Sequence, residues 1–166
     1  MEHDAVDLIL EQWARERPDL DASPIGVVGR VSRLSRHLER RLEPVFAEHG
    51  LDGGLFDVLA TLRRSGPPFR LSPTQLYSTT MLSSGAMTSR LDRLERAGLV
   101  ARSPDPADRR GIVVELTPAG RRLIDRAFAA HVENEAGLVA ALTPSEREQL
   151  AKLLRKLLLS FEGEAG

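Results

Sequence analysis

Along most of this chain apolar residues return every third or fourth position, the spacing of a helix with one buried stripe. Val6, Ile9, Leu10 and Trp13 mark such a helix between Asp4 and Arg17. The run from Pro18 to Pro24 interrupts it. A longer helical pattern follows to His49, with Val28, Val31, Leu34, Leu38, Leu42 and Val45 along one side at near-heptad spacing, as packing against other helices requires. Pro44 lies inside that pattern and predicts either a kink or a boundary just before it, and Gly50 supplies a stop. Leu55, Val58, Leu59 and Leu62 then form the core stripe of a helix over residues 53–65, ended by Ser65-Gly66-Pro67-Pro68.

From Leu71 to Gly120 the pattern is denser and changes period. Ser72-Pro73-Thr74-Gln75 combines a capping serine, a proline at the first helical position and a glutamine placed to close a capping box, so a short helix starts there and reaches Thr79 or Thr80. Ser83-Ser84-Gly85 breaks and recaps the chain into a second helix, near 84–97, that ends at Gly98. Residues 99–103 and 112–116 are short β-prone runs on either side of Pro104-Asp105-Pro106-Ala107-Asp108-Arg109-Arg110-Gly111. Helix, tight turn, helix and a two-stranded ribbon together predict a winged helix-turn-helix. Beyond it, Thr117-Pro118 caps a long helix to about Leu142. Thr143-Pro144-Ser145-Glu146 is a second capping box, opening a helix to Phe161. Leu150, Leu153, Leu154, Leu157, Leu158 and Phe161 make the stripe of that last helix too wide for one small domain to cover, which favours contact with another subunit over folding back on its own helices. The expected architecture is mainly α with a small β-wing, an α+β chain. Residues 1–50 and 119–166 supply a helical dimerisation domain, and residues 51–118 the winged helix-turn-helix.

The second helix of the motif separates two faces. Met87, Leu91 and Leu94 share a core stripe; Gly85, Ser89, Asp92 and Arg96 point the opposite way, with Thr88 and Arg93 on the flanks. Small and hydroxylic residues at its start (Ser83, Ser84, Gly85, Thr88, Ser89) allow close approach to a major groove and to phosphates, and Arg93 adds charge. At the wing tip Arg109 and Arg110 suit a minor groove, with Asp108 placed to hold a guanidinium. An ordinary amphipathic helix and a solvated turn are the plain alternatives.

Charge supports the nucleic-acid reading. The 166 residues carry a formal net charge of -1, yet residues 63–122 hold eleven arginines against five acids, a balance of +6 that leaves -7 elsewhere. With 42% hydrophobic residues the chain can bury a real core, and with no cysteine it can form neither a disulfide nor a thiolate metal site. His3, His37, His49 and His131 lack metal-ligand spacing and read as solvated surface residues, a zinc site shared across a dimer being the alternative. No cofactor is implied. No apolar run is long enough to span a bilayer, and Met1-Glu2-His3-Asp4 is not the start of a signal peptide, so a cytoplasmic protein is expected. There is no phosphate-binding glycine loop, nucleophile elbow or HExxH, and Asp105 with Asp108 suits a salt bridge better than acid–base chemistry; an enzyme is not expected.

The run from Gly54 to Gly120 resembles the MarR family of dimeric winged-helix transcription regulators, through SSGAMTSRLDRLERAGLV, a turn ending DxR, and then LTPAG. The resemblance covers essentially the whole chain. It implies a homodimer that binds palindromic operator DNA. The extra N-terminal helix in LILEQWARERPDLD, with FDVLATLRRSG, MTSRL and LVAR, is similar to the urate-responsive, PecS-like or HucR-like branch. In that branch a tryptophan, an aspartate and two arginines line an effector pocket between the DNA-binding lobe and the dimerisation helices. Those roles fall here on Trp13, Asp57, Arg90 and Arg102. Urate and its relatives are planar, rich in hydrogen-bonding edges and anionic, so an indole and guanidinium forks are suitable partners. Arg90 lies about 60° from the core stripe and can reach inward. Asp57 lies opposite the Leu55/Leu59/Leu62 stripe, so its pattern does not bury it, and pairing with a nearby arginine at the surface is its plain reading. Trp13 reads equally as a packing residue, and Arg90 and Arg102 as phosphate contacts.

The expected function is therefore a ligand-responsive DNA-binding regulator, a repressor released by a small anionic aromatic such as urate or a related purine. A regulator of the same type that responds to a phenolic compound or drug is the alternative. A winged-helix module that binds protein and never DNA is the alternative from another class.

Overall fold

The computed structural model describes residues 3–79, 87–105 and 111–163, and its contacts divide the chain into two compact units at Pro44. In the first unit α1 (Ala5–Glu16) opens on a capping box. The Asp4 side chain accepts from the N–H groups of Val6 and Asp7, and the Asp7 carboxylate accepts from the Asp4 N–H. The same two carboxylates hold Arg30 of α2 (Ser23–Ala47) at 2.9 and 2.6 Å, and Val6 is buried against Gly29. A hydrogen-bonding cap and a helix–helix tie thus share one acidic pair. The helix continues through Pro44 to Ala47, while the division between the units falls at that proline.

The second unit begins with the end of α2, which Gly50 closes. At φ +70° it lets the Leu51 N–H reach back to the Phe46 carbonyl, the Schellman arrangement that favours glycine. Then come α3 (Gly53–Arg64), β1 (Arg70–Leu71), α4 (Pro73–Thr79), α5 (Met87–Arg96), β2 (Val100–Pro104), β3 (Ile112–Leu116), α6 (Pro118–Leu138) and α7 (Pro144–Glu162). The core lies where the apolar spacing puts it. Val58, Leu59 and Leu62 of α3, Leu76 of α4, Leu94 of α5, Val100 and Val114 of the sheet and Ile124 of α6 are all essentially inaccessible. Each such side chain contributes about 1.5–3 kcal/mol by leaving water. Ser72 and Gln75 close the expected capping box at 2.9 and 3.1 Å, and Thr143 with Glu146 the second.

Three expectations need correction. The ribbon is part of a three-stranded antiparallel sheet in the order β1-β3-β2, with Arg70 opposite Glu115 and Leu71 opposite Val114. A two-residue strand has no period to detect. The helix after the wing stops at Leu138, and the Val139–Leu142 turn that follows is held by Arg147, whose Nε donates to the carbonyls of Val139 and Leu142. Two of the four histidines are not solvated. His49 is half-buried with Nδ1 3.0 Å from the Val45 carbonyl, and His131 stacks with Phe46 and Phe56, centroids 5.3 and 4.8 Å away. The apolar face of α6 that packs on α3 carries His131 inward with it. Among the described residues no group of His, Asp and Glu could hold a metal ion, and no helix is long and apolar enough to cross a membrane.

Candidate nucleic-acid interface and effector site

Helix α5 is amphipathic as its sequence requires. Met87, Leu91 and Leu94 are buried, while Thr88, Ser89, Arg93 and Arg96 are exposed. It ends at Gly98, φ +69°, with the Leu99 N–H bonded to the Leu94 carbonyl, so β2 starts immediately. The base of the wing is closed by the Asp105 N–H donating to the Gly111 carbonyl at 2.9 Å. Of the residues expected at DNA, Ser83, Ser84, Gly85, Asp108, Arg109 and Arg110 lie outside the described residues. Thr88 and Ser89 stand on the exposed face. Arg93 is exposed too, but its Nη1 is 2.8 Å from an Asp52 carboxylate oxygen. Asp52 also caps α3 by accepting the Leu55 N–H at 2.9 Å. Partial burial works to raise the Asp52 pKa, but the Leu55 N–H and the Arg93 guanidinium outweigh it, and the carboxyl sits below its ordinary value.

The two arginines expected at an effector occupy different environments. Arg90 turns inward and lays its guanidinium over Gly54, so close that a Cβ there would fall inside it. Its Nη1 is buried without a hydrogen-bond partner. Asp57 is three residues on from Gly54 and shares that face of α3. It is half-buried and not a free carboxylate, a correction to its exposed wheel position. Arg102 points instead to α5. Its Nη2 is 2.6 Å from Asp92, its Nη1 3.3 Å from Glu95, and its backbone N–H donates to Glu95. Trp13 belongs to the other unit, 47% exposed on α1, where it lines an open hollow of about 520 Å³ with Gln12, Arg15 and Glu16.

Comparison with known proteins decides what kind of molecule carries these features. The MarR family model matches residues 49–111. The HTH-type transcriptional regulator PecS of Dickeya dadantii is 43% identical over 149 residues, 90% of each chain. The chain belongs to the MarR family. Like the MarR-family regulators it resembles, it is a DNA-binding transcription regulator and not an enzyme. Its fold is similar to that of Sco3205, a MarR family regulator from Streptomyces coelicolor solved in complex with DNA, with TM-score 0.75, 26% identity and 84% of this chain and 88% of that one covered. It is also similar to Bordetella bronchiseptica BpsR, whose DNA binding is regulated by 6-hydroxynicotinic acid, with TM-score 0.71, 28% identity and 79% and 91% covered.

Within this MarR-family chain, reasoning from sequence overlooked the neighbours of the three expected arginines Arg90, Arg93 and Arg102. Gly54 makes room for Arg90, Asp52 tethers Arg93, and Asp92 with Glu95 engages Arg102. Asp92 and Glu95 are one helical turn apart, which could have marked them as a joint acceptor for a cation. Nothing in the spacing says that the cation comes from β2.

Proposed function

We propose that this MarR-family regulator acts in the cytoplasm as a homodimeric repressor. It reads a palindromic operator through Thr88, Ser89 and Arg93 of α5 together with Ser83, Ser84, Gly85, Asp108, Arg109 and Arg110. A small anionic aromatic, urate or a related purine first, weakens that binding through Trp13, Asp57, Arg90 and Arg102. The observation that carries the effector reading is Arg90. A guanidinium nitrogen buried without a partner is unfavourable, and an anion accepting from it supplies what is missing. Gly54 leaves the space the arginine needs. A carboxylated heteroaromatic is the second reading, favoured by the regulation of BpsR by 6-hydroxynicotinic acid.

Trp13 is the only tryptophan, so its fluorescence reports on one place. Titration with urate, xanthine, 6-hydroxynicotinate and salicylate is expected to give saturable quenching by the purines, abolished by Arg90→Gln. Quenching by 6-hydroxynicotinate alone would move the effector to the second reading. No response to any of the four would remove the effector claim while leaving DNA binding intact.

A further inference from the structure

Both Nη atoms of Arg102 are engaged by acids of the helix proposed to meet DNA. Asp92 and Glu95 lie one turn apart on α5, and Asp92 shares its stripe with Ser89 and Arg96. A carboxylate on that stripe opposes the approach of a phosphate backbone. The Asp92 side chain is 46% exposed, so water screens it only in part. Arg102 reaches over from β2 with only a quarter of its side chain accessible, places Nη2 at 2.6 Å from Asp92 and Nη1 at 3.3 Å from Glu95, and adds a backbone N–H to Glu95. Its Nε is buried without a partner. The other cations of α5 are placed elsewhere: Arg93 on Asp52, Arg90 over Gly54, and Arg96 with Nε on the Asp92 carbonyl rather than its carboxylate.

We propose that Arg102 supports DNA binding without touching DNA, by neutralising the two carboxylates that the reading helix would otherwise present to phosphate. It is a positioning residue in the electrostatic sense: the contact is with Asp92 and Glu95, the beneficiary is the α5–DNA contact. The inference rests on α5 being the helix that meets DNA, as proposed above.

The test is a mutant cycle on a duplex enriched by the wild-type protein from a random library, read by fluorescence anisotropy at low salt. Arg102→Gln, which keeps the polar stem and removes the charge, is expected to bind about ten-fold more weakly or worse. Adding Asp92→Asn and Glu95→Gln to it is expected to return affinity to within about three-fold of wild type, since the charges needing a partner are gone. A merely structural tie between β2 and α5 would not be rescued by removing its acceptors. Arg102→Lys, which keeps charge and loses the fork, is expected to fall between the two and serves if the glutamine variant fails to fold. Three results overturn the inference. One is a triple variant as weak as Arg102→Gln, which would leave Arg102 either a structural tie or a phosphate contact in its own right. Another is an equal gain from Asp92→Asn/Glu95→Gln with and without Arg102, and the third is unchanged binding by Arg102→Gln. If the wild-type protein enriches no duplex at all, the DNA-reading role of α5 falls and this inference with it.

Discussion

At the scale of single residues, the arrangement turns on what a missing side chain permits. Gly54 sits in the first turn of α3, where alanine would ordinarily improve the helix by up to about 1 kcal/mol. Here an added methyl would displace the Arg90 guanidinium. Gly54→Ala is therefore expected to leave the melting temperature within a few degrees of wild type while weakening urate quenching of Trp13 by about ten-fold or more; unaltered quenching would detach Arg90 from the effector. The inward direction of Arg90 was legible from its angle on the helical wheel, but the glycine opposite it was not, because a residue without a side chain leaves no mark in a polarity pattern. Arg93 was legible as a cation on an exposed face and not as one already paired. Its partner Asp52 is forty-one positions away, on a helix whose approach to α5 only the packed core determines.

Asp52 also gives the molecule a specific acid sensitivity. Its folded pKa is depressed, so its stabilisation is complete above the unfolded carboxyl value near pH 4 and is lost as pH falls through the lower folded value. Asp52→Asn keeps a capping side chain and removes the charge on Arg93's partner. Because the pair is 51% and 42% exposed, the expected deficit at pH 7 is below about 1 kcal/mol. In denaturant titrations the gap between variant and wild type should close as pH falls through the depressed folded value, below the ordinary carboxyl range. A gap independent of pH would mean that the cap and not the charge is what matters. The same variant frees Arg93, and tighter operator binding at low salt is the expected second result.

At the scale of elements, the joint between the wing and α6 is the least forgiving. Thr117 caps α6 by accepting the Gly120 N–H, donates its hydroxyl to the Gly98 carbonyl at 2.8 Å, and its backbone N–H donates to Leu99 at 3.1 Å. The start of α6 is thereby pressed onto the turn between α5 and β2, and a Cβ at Gly120 would collide with the Leu99 carbonyl oxygen. Backbone cannot step aside as a flexible side chain can. Gly120→Ala is expected to destabilise by about 2–3 kcal/mol in thermal unfolding. Gly137→Ala, in the same helix with open space around it, should be neutral or stabilising by up to about 1 kcal/mol. Equal effects at the two sites would show that helix propensity alone decides. The caps of α4, α6 and α7 were readable because a cap is local: three or four consecutive residues contain both donor and acceptor. Strand β1 was not, and neither was the Phe69 turn before it. There a phenylalanine at φ +59° lies between the Arg63 and Arg121 guanidinia, 5.0 and 4.7 Å from its ring, an arrangement that joins α3 to α6 and exists only in the folded chain.

At the scale of the whole molecule, α7 carries a surface that a lone chain leaves open. It begins with a complete capping box, yet buries none of its side chains: Leu153, Leu158, Leu159 and Phe161 are 55–64% exposed, and Leu150, Leu154 and Leu157 are about two-fifths exposed. The first unit, described by itself, leaves Val27, Val28, Val31 and Leu34 of α2 open as well. The leucine spacing made the apolar face legible in the sequence, the single chain leaves it exposed, and the proposed homodimer would cover it with another copy. A palindromic operator asks for the same thing, because two reading heads related by a two-fold axis meet two half-sites with one set of contacts. Leu154→Glu with Leu157→Glu places two charges on that face at positions the single chain does not bury. The variant should keep its helicity by circular dichroism and elute in light-scattering chromatography with the 18.3 kDa mass of one chain, where the wild type gives twice that value. Its affinity for the full palindrome should fall by about 100-fold or more, and its affinity for an isolated half-site should stay within about three-fold of wild type. A variant that remains dimeric would move the interface off α7, and a monomer that still binds the palindrome at full strength would show that the two heads act independently.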